Sequence, residues 1–270
     1  MEENEDTAQV AKQDEVFRLY SESAIQRNMI KTIYIVWFQG FDNAPEIIKA
    51  CVNSWKFYNP DWNIILIDNN NLINYVNLEN YITDIYKRNI NNTALSDIIR
   101  VILLNLYGGL WVDATTFCNK PLNDWLPKYI NEGFFAFNNP APDRLLSSWF
   151  IYSEKNNYII DKWYNKTLQY YKINNCPHTY FWFHYLFGDL YNSDNIFKKL
   201  WDKVPKLSAN GIGPHYLQEK GMFNNISIQT KLDIDNKITP FYKLTYKCNF
   251  PEYNESTILY YLYSTIKLTF

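Results

Sequence analysis

A strand–helix–strand pattern near the start of the chain constrains the fold more than any other feature of this sequence. Residues 32–37 form a β-branched and aromatic run, which is typical of a buried strand. A helix follows, with Pro45 suited to its first turn, and a second apolar strand covers residues 63–68. Such a βαβ unit binds its ligand beyond the carboxyl ends of the strands. The pattern therefore predicts an α/β fold with a crevice beside Trp37.

An apolar helix over residues 92–106 leads through two glycines into a short strand that ends in an acid. Asp97 and Arg100 lie three residues apart on this helix and share a face, where buried charges need partners or a ligand. Asp113 ends the following strand, and Thr115 comes two residues later. Carboxylate and hydroxyl oxygens are ligands that Mg²⁺ and Mn²⁺ accept. Two alternatives stay open: a solvent-facing Asp97–Arg100 pair, and an Asp113 that only begins a turn.

The remainder of the chain continues the α/β pattern without an internal repeat or a linker. The expected elements are a strand over residues 133–137, helices over 147–153, 159–171 and 179–191, a glycine-rich loop over 208–215, and strands and loops in the last fifty residues. We expect one domain over residues 29–270, preceded by an arm or short helix over residues 1–28.

Composition and charge exclude several classes of protein. Apolar residues make up 47% of the 270 residues, which is too many for a disordered chain. The net charge is −2 and no basic tract stands out, so a nucleic-acid partner is not expected. The acidic start and the short apolar runs predict neither a signal peptide nor a membrane span. We expect a cytoplasmic protein with at most peripheral contact at the inner face of a membrane.

The motifs around the buried helix resemble those of a known family. They are Ser96-Asp97 with Arg100, then Tyr107-Gly108-Gly109, then Trp111-Val112-Asp113-Ala114-Thr115. This order resembles the capsular polysaccharide synthesis branch of the sugar-transferase superfamily that carries a DXD motif, and more remotely the glycosylating domains of clostridial toxins. The resemblance extends from about residue 30 to 250. It implies a GT-A fold and a nucleotide-sugar donor, with a UDP-sugar expected.

The resemblance also implies roles for individual residues. Donor-binding residues would be Trp37, Gln39, Asp97, Arg100, Gly109, Trp111, Asp113, Gly213, Pro214 and His215, and metal ligands for Mn²⁺ or Mg²⁺ would be Asp113, Thr115 and His215. Catalytic residues would be Asp113, Asp97, Arg100 and His184. Thr115 stands where the wider superfamily has a second aspartate, although the capsular branch commonly has this threonine. The loss of one carboxylate weakens the expected metal site and leaves metal independence open. From the residues alone, His184 is as well explained as a core histidine. Lys243 and Lys247 are expected to be solvated lysines, with a place near the diphosphate as the alternative.

Together these features predict a glycosyltransferase that moves a hexosyl unit to a glycan or lipid-linked glycan acceptor in surface polysaccharide synthesis. Retention at the anomeric carbon follows from the resemblance alone, because no pair of carboxylates indicates the stereochemistry. Two other functions stay open. One is an inactive glycan- or nucleotide-sugar-binding protein, and the other is a nucleotidyltransferase of similar topology.

Overall fold

Five strands form a central sheet whose apolar side chains are covered by helices. The computed structural model describes residues 29–251 and 254–267, so the arm expected over residues 1–28 lies outside the described residues. The strands are β1 (Thr32–Val36), β2 (Asn63–Ile67), β3 (Gly109–Val112), β5 (Phe134–Ala141) and β6 (Arg144–Ser153), and β4 (Thr116–Cys118) and β7 (Phe241–Lys243) form a second, small sheet.

Eight α-helices accompany these strands in the described part of the chain. They are α1 (Glu46–Tyr58), α2 (Asn92–Tyr107), α3 (Tyr158–Ile173), α4 (Trp182–Ser193), α5 (Asn195–Lys203), α6 (Tyr216–Lys220), α7 (Ile228–Asp235) and α8 (Ile258–Ser264). Five short 3₁₀ turns lie between β2 and β5, at Leu72–Asn74, Leu78–Asn80, Ile85–Lys87, Leu122–Asp124 and Leu126–Lys128.

The topology of the central sheet places the carboxyl ends of β1 and β3 side by side. The strand order is β2-β1-β3-β6-β5, with β1 parallel to both β2 and β3. Strand β6 runs antiparallel to β3 and to β5, so four of the five strands share one direction. The register pairs Tyr34 of β1 with Trp111 of β3. The predicted α/β class and the βαβ unit β1–α1–β2 are therefore confirmed, and the arrangement is consistent with a GT-A fold.

The helix predicted over residues 147–153 is wrong, because this segment is the longest strand, β6. Its side chains from Leu146 to Ser153 are all buried, since the sheet is covered on both faces there. A strand that is buried on both faces has no alternation of apolar and polar residues to distinguish it from a helix. Strand β5 also extends to Ala141, beyond the expected stop at residues 138–140, through two irregularities in its pairing with β6.

The expectation of strands and loops in the last fifty residues is also wrong in part. Helices α7 and α8 lie there, and the one strand of the described part of this region is the three-residue β7. Both helices begin with a hydroxyl side chain that accepts from a backbone N–H: Ser227 from Thr230, and Thr257 from Tyr260. The two caps can be recognised from the sequence. The helices that follow them cannot, because their apolar periodicity is weak.

Aromatic packing holds the small sheet against the central one. Phe241 of β7 stacks on Phe150 of β6, with ring centroids 4.8 Å apart and planes inclined by 13°. It also meets Phe137 at 5.3 Å and Trp149 at 5.5 Å. Each such pair contributes about 0.5–1.5 kcal/mol beyond its buried area. The position of β7, and hence of Lys243 at its end, is therefore fixed by the core.

Candidate functional site

Helix α2 and strand β3 bring three charged side chains together. Asn91 caps α2, and its side chain accepts from the N–H of Ala94. Inside the helix, Asp97 is 5% exposed and Arg100 is 2% exposed. Arg100 Nη1 lies 2.9 Å from Asp97 Oδ1, and Arg100 Nη2 lies 3.1 Å from Asp113 Oδ1. One guanidinium thus bridges two carboxylates, and the alternative of a solvent-facing Asp97–Arg100 pair is wrong.

The carboxylate of Asp113 is held by donors on both of its oxygens. Oδ1 accepts from Trp111 Nε1 at 3.0 Å and from Arg100 Nη2 at 3.1 Å, while Oδ2 lies 3.3 Å from Lys243 Nζ. Burial alone would raise the pKa of Asp113, but Lys243, Arg100 and the Trp111 hydrogen bond outweigh it and hold the pKa below its ordinary value of 3.8. Asp113 is therefore ionised at neutral pH.

Asp97 has the opposite protonation behaviour, although both acids contact the same arginine. Burial raises the pKa of Asp97 to about 7; Arg100 lowers it, and Asp113 raises it further. The difference has a physical cause, since Asp113 has a second cation beside it and Asp97 does not. Around neutral pH Asp97 is therefore partly protonated, whereas Asp113 stays ionised.

A cleft of about 250 Å³ opens at the carboxyl ends of β1 and β3. Asp113 is the member of the charged trio that lines it, whereas Asp97 and Arg100 lie beneath its floor. The other lining residues are Val36–Gln39, Asn92, Thr93, Ser96, Trp111, Ala114, Thr115, Tyr180 and residues 243–247. The cleft thus lies at the sheet edge where open α/β sheets bind ligands.

Trp37 and Gln39 lie where the sequence placed them, at the mouth of this cleft. Trp37 is half-buried and its ring meets the Tyr246 ring edge-on, with centroids 5.0 Å apart. Its Nε1 is buried and has no hydrogen-bond partner among the described residues. A flat ring beside an unsatisfied donor offers both stacking and a hydrogen bond to a base. Gln39 is exposed and lines the same cleft.

Lys243 is the site residue for which the sequence favoured solvent exposure over a place near the diphosphate. The pairing of β4 with β7 sets Lys243 opposite Thr116, and the side chain reaches back to Asp113 and Thr115. Only 17% of the side chain is exposed, so the expectation of a solvated lysine is wrong. A lysine at the end of the apolar run Phe241–Tyr242 was the available signal, because a lysine inside a buried strand needs a partner.

The predicted metal ligands do not fit a divalent cation in this arrangement. Asp113 and Thr115 offer one carboxylate and one hydroxyl, and Lys243 Nζ contacts both of them. Mg²⁺ and Mn²⁺ prefer several oxygen ligands and no ammonium among them. Residues 29–251 and 254–267 contain no group of three or more His, Cys, Asp or Glu side chains placed to hold a metal. The expectation of Mn²⁺ or Mg²⁺ therefore stays a prediction, and we derive no chemical step through it.

The third predicted metal ligand, His215, lies beside the cleft rather than in its lining. His215 Nδ1 lies 2.8 Å from Asn210 Oδ1, and its ring centroid lies 5.5 Å from that of Trp149. Burial, followed by Lys243, lowers the pKa of His215, so the imidazole is mainly neutral at pH 7. The preceding Pro214 accepts a 2.8 Å hydrogen bond from the N–H of Lys243. Its loop is thus attached to β7.

Two glycines assigned to donor binding have packing roles that explain them. Gly109 begins β3, at the opposite end from Asp113, and has φ +105°. A Cβ at Gly109 would meet the backbone oxygen of Thr32 at 2.8 Å. At Gly213 a Cβ would meet the oxygen of Ser208 at 2.2 Å. Neither glycine lines the cleft at Asp113. Contact of either one with a donor stays a prediction.

Trp111 lines the cleft floor, yet its ring is 1% exposed. The guanidinium carbon of Arg100 lies 4.7 Å from the centroid of this ring. Together with the hydrogen bond from Nε1 to Asp113, this contact makes Trp111 a positioning residue for the trio.

His184 and Arg144 lie within electrostatic range of the charged trio, although neither lines the cleft. His184 Nδ1 and Arg144 Nη1 are buried and lack hydrogen-bond partners among the described residues. Arg144 lies over the Phe181 ring, with its guanidinium carbon 3.5 Å from the centroid. Burial, then Arg100 and Arg144, lowers the pKa of His184 to about 3. The imidazole is neutral, and it can accept or donate one hydrogen bond.

Within the described part of the chain, no helix has the length and apolarity needed to cross a membrane.

Comparison with known proteins gives relatives that act on sugars. The chain is 26% identical over 156 residues to O-glycosyltransferase braB of Annulohypoxylon truncatum, covering 49% of this chain and 36% of that protein. It is 26% identical over 140 residues to inositol phosphoceramide mannosyltransferase 1 of Schizosaccharomyces pombe (strain 972 / ATCC 24843). This match covers 50% of this chain and 42% of that protein. The matches thus span less than half the length of these curated relatives.

Among solved structures, the chain is similar to PaToxG glycosyltransferase with a TM-score of 0.49 and 16% identity, over 97% of this chain and 95% of that one. The model of the capsular polysaccharide synthesis protein family matches residues 7–262, which is most of the sequence. The chain belongs to the capsular polysaccharide synthesis protein family.

Proposed function

We propose that this protein is a glycosyltransferase that moves a hexosyl unit from a nucleoside-diphosphate sugar to a hydroxyl group of a glycan acceptor. The observation that carries the proposal is the cleft where β1 and β3 end, with an aromatic ring at its mouth and an ionised Asp113 between two cations at its floor. The family and the printed names of the two curated relatives support the same class of reaction.

Different side chains of the cleft would bind different parts of the donor. The base would stack on Trp37, whose free Nε1 adds a hydrogen-bond donor. Asp113 would accept from sugar or ribose hydroxyls, in a position fixed by Trp111 and Arg100. Preorganised groups of this kind need no rearrangement when the charge develops.

The acceptor would enter beside His184 and Arg144. His184 Nδ1 and Arg144 Nη1 are buried and have no hydrogen-bond partner among the described residues. A hydroxyl group of the acceptor would supply one. In the transfer, the bond from the anomeric carbon to the diphosphate oxygen breaks, and its electron pair leaves with the diphosphate. The acceptor oxygen bonds to the same carbon, and its proton is released to water. Retention, a lipid-linked glycan acceptor and a cytosolic location at the inner face of a membrane belong to the proposal as well.

A donor screen followed by a hydrolysis assay tests the proposal. Thermal unfolding would be measured with UDP-, GDP- and CMP-sugars, and release of the nucleoside diphosphate would then be followed with and without Mn²⁺. Asp113→Asn should lower turnover by about 10²–10³-fold, because the charged partner of Arg100 and Lys243 is lost. Asp84→Asn is the matched control, since Asp84 forms an exposed pair with Lys87. An Asp113→Asn protein as active as the wild type would refute the assigned role.

The same assay separates the two alternatives. A nucleotidyltransferase would form a sugar nucleotide and pyrophosphate from a nucleoside triphosphate and a sugar 1-phosphate. An inactive binding protein would be stabilised by a nucleotide sugar or a glycan without any turnover. The proposal predicts release of a nucleoside diphosphate and no pyrophosphate.

A further inference from the structure

The ammonium group of Lys243 lies between the two side chains that the motif assigns to a metal ion. Its Nζ is 3.3 Å from Asp113 Oδ2 and donates a hydrogen bond to Thr115 Oγ1. Both oxygens belong to the Asp-Ala-Thr segment in which a DXD motif would supply its ligands. A positive charge built into the chain thus occupies the place of a bound cation.

The backbone around Lys243 fixes this placement. The N–H of Lys243 donates to Pro214 O at 2.8 Å, and the N–H of Leu244 donates to Thr115 O at 2.8 Å. In the β4–β7 ladder, Lys243 is opposite Thr116. A slip of one residue would turn the lysine to the other face, where the buried Tyr242 now packs. The ammonium therefore belongs to the fold of the site.

The charges of the site are already balanced without a further cation. Arg100 and Lys243 carry two positive charges, and Asp97 and Asp113 carry at most two negative ones, because the raised pKa of Asp97 leaves it partly protonated. Both oxygens of Asp113 have donors, and a divalent ion beside them would be repelled by the ammonium of Lys243 and the guanidinium of Arg100. An incoming diphosphate, in contrast, would bring negative charge toward a cation that lines the cleft. Nζ can donate three hydrogen bonds, and among the described residues it has two partners.

We propose that Lys243 takes the part of the divalent cation: its ammonium binds the diphosphate of the donor, and the protein uses that donor without a metal ion. The inference rests on the proposed function and names a catalytic residue for it. When the bond from the anomeric carbon to the diphosphate oxygen breaks, the electron pair stays on that oxygen, opposite the ammonium. Lys243 remains protonated, and the proton of the acceptor hydroxyl passes to water.

Binding of UDP to the full chain tests this inference. Isothermal titration calorimetry would be run in excess EDTA and again in 1 mM Mn²⁺, with wild type, Lys243→Met and Lys87→Met. Lys87 is the matched control, because it forms an exposed lysine–aspartate pair and does not line the cleft. Wild type should bind equally well in both buffers, within about twofold. Lys243→Met should weaken binding in EDTA by about 10- to 100-fold, as expected for a lost charged hydrogen bond, and Lys87→Met should not.

The outcomes separate this inference from the proposed function. Wild type that binds UDP at least about tenfold more tightly with Mn²⁺ overturns the inference and leaves the glycosyltransferase proposal standing. A folded Lys243→Met protein that binds UDP in EDTA as tightly as wild type also overturns the inference and leaves the glycosyltransferase proposal standing. Wild type that binds no UDP in either buffer, and no GDP when GDP replaces UDP, overturns both. The comparison of the two buffers needs no variant, so the inference stays testable if Lys243→Met fails to fold, and Lys243→Gln then replaces it.

Discussion

Replacing Arg100 by methionine is the perturbation whose effect follows most directly from the structure. The guanidinium is 2% exposed and is the shared partner of Asp97, at 2.9 Å, and Asp113, at 3.1 Å. Methionine keeps most of the aliphatic stem and can pack on Trp111 and the surrounding core. The main loss is therefore electrostatic: two carboxylates remain, and one of them is buried without its cation.

The expected cost follows from the burial of these groups. Removing one partner of a buried ion pair costs about 3–5 kcal/mol, because the remaining charge stays in a medium of low polarity. Asp97 can lower this cost by taking up a proton, since its pKa is already raised to about 7. We therefore expect the lower end, about 3 kcal/mol of unfolding free energy. This loss corresponds to a fall in Tm of roughly 6–12 °C for a chain of this size.

Urea unfolding at pH 7.5 measures this loss, with a second ion pair as the control. Lys87 and Asp84 are also three residues apart, but their side chains are 82% and 58% exposed. Lys87→Met should change the free energy of unfolding by less than about 0.5 kcal/mol. Adding Asp97→Asn to Arg100→Met should restore about 1–2 kcal/mol, because it removes the uncompensated acid. An Arg100→Met protein within about 0.5 kcal/mol of wild type would refute the reasoning.

Three further predictions concern protonation and backbone geometry. The pKa of Asp97 is raised from 3.8 to about 7 on folding, so its contribution to stability is complete below pH 3.8 and is lost as the pH rises to about 7. The Tm should therefore fall between pH 5 and pH 8 by more in wild type than in Asp97→Asn, and an equal fall in both would contradict the assignment. Gly109→Ala should destabilise the fold by about 2 kcal/mol or more in urea unfolding, because φ is +105° and a Cβ would meet Thr32 O at 2.8 Å; a neutral effect would show that the strands are not this close. His184 has a pKa of about 3 and stays neutral from pH 5 to pH 9, so His184→Gln should lower the rate without changing the shape of the pH–rate profile in that range, whereas loss of a limb would show that His184 titrates there.

The features that the sequence predicted well are those with local signals. The βαβ unit, the buried helix α2 and the acid after β3 each follow from apolar runs bounded by caps, glycines or prolines. The convergence of Arg100 with Asp97 and Asp113 was also expected, because a helix and the next strand joined by two glycines must lie against each other. The positions of these three residues follow from the order of α2 and β3 in the chain, which the sequence indicates.

The features that the sequence did not predict depend on contacts between residues that are far apart in the chain. Lys243 reaches Thr115 across 128 positions, through the pairing of two three-residue strands that have no periodicity to detect. Strand β6 was predicted as a helix because it is buried on both sides, which depends on helices that pack against it later in the chain. Local pattern carries no information on either arrangement.

A crystal structure of the protein with UDP bound would test the central claim most directly. The uracil ring should lie against Trp37, and the diphosphate oxygens should lie within hydrogen-bond distance of Lys243 Nζ, above the Asp113 carboxylate. A nucleotide bound elsewhere on the chain, or one that leaves the cleft between Trp37 and Asp113 empty, would contradict it.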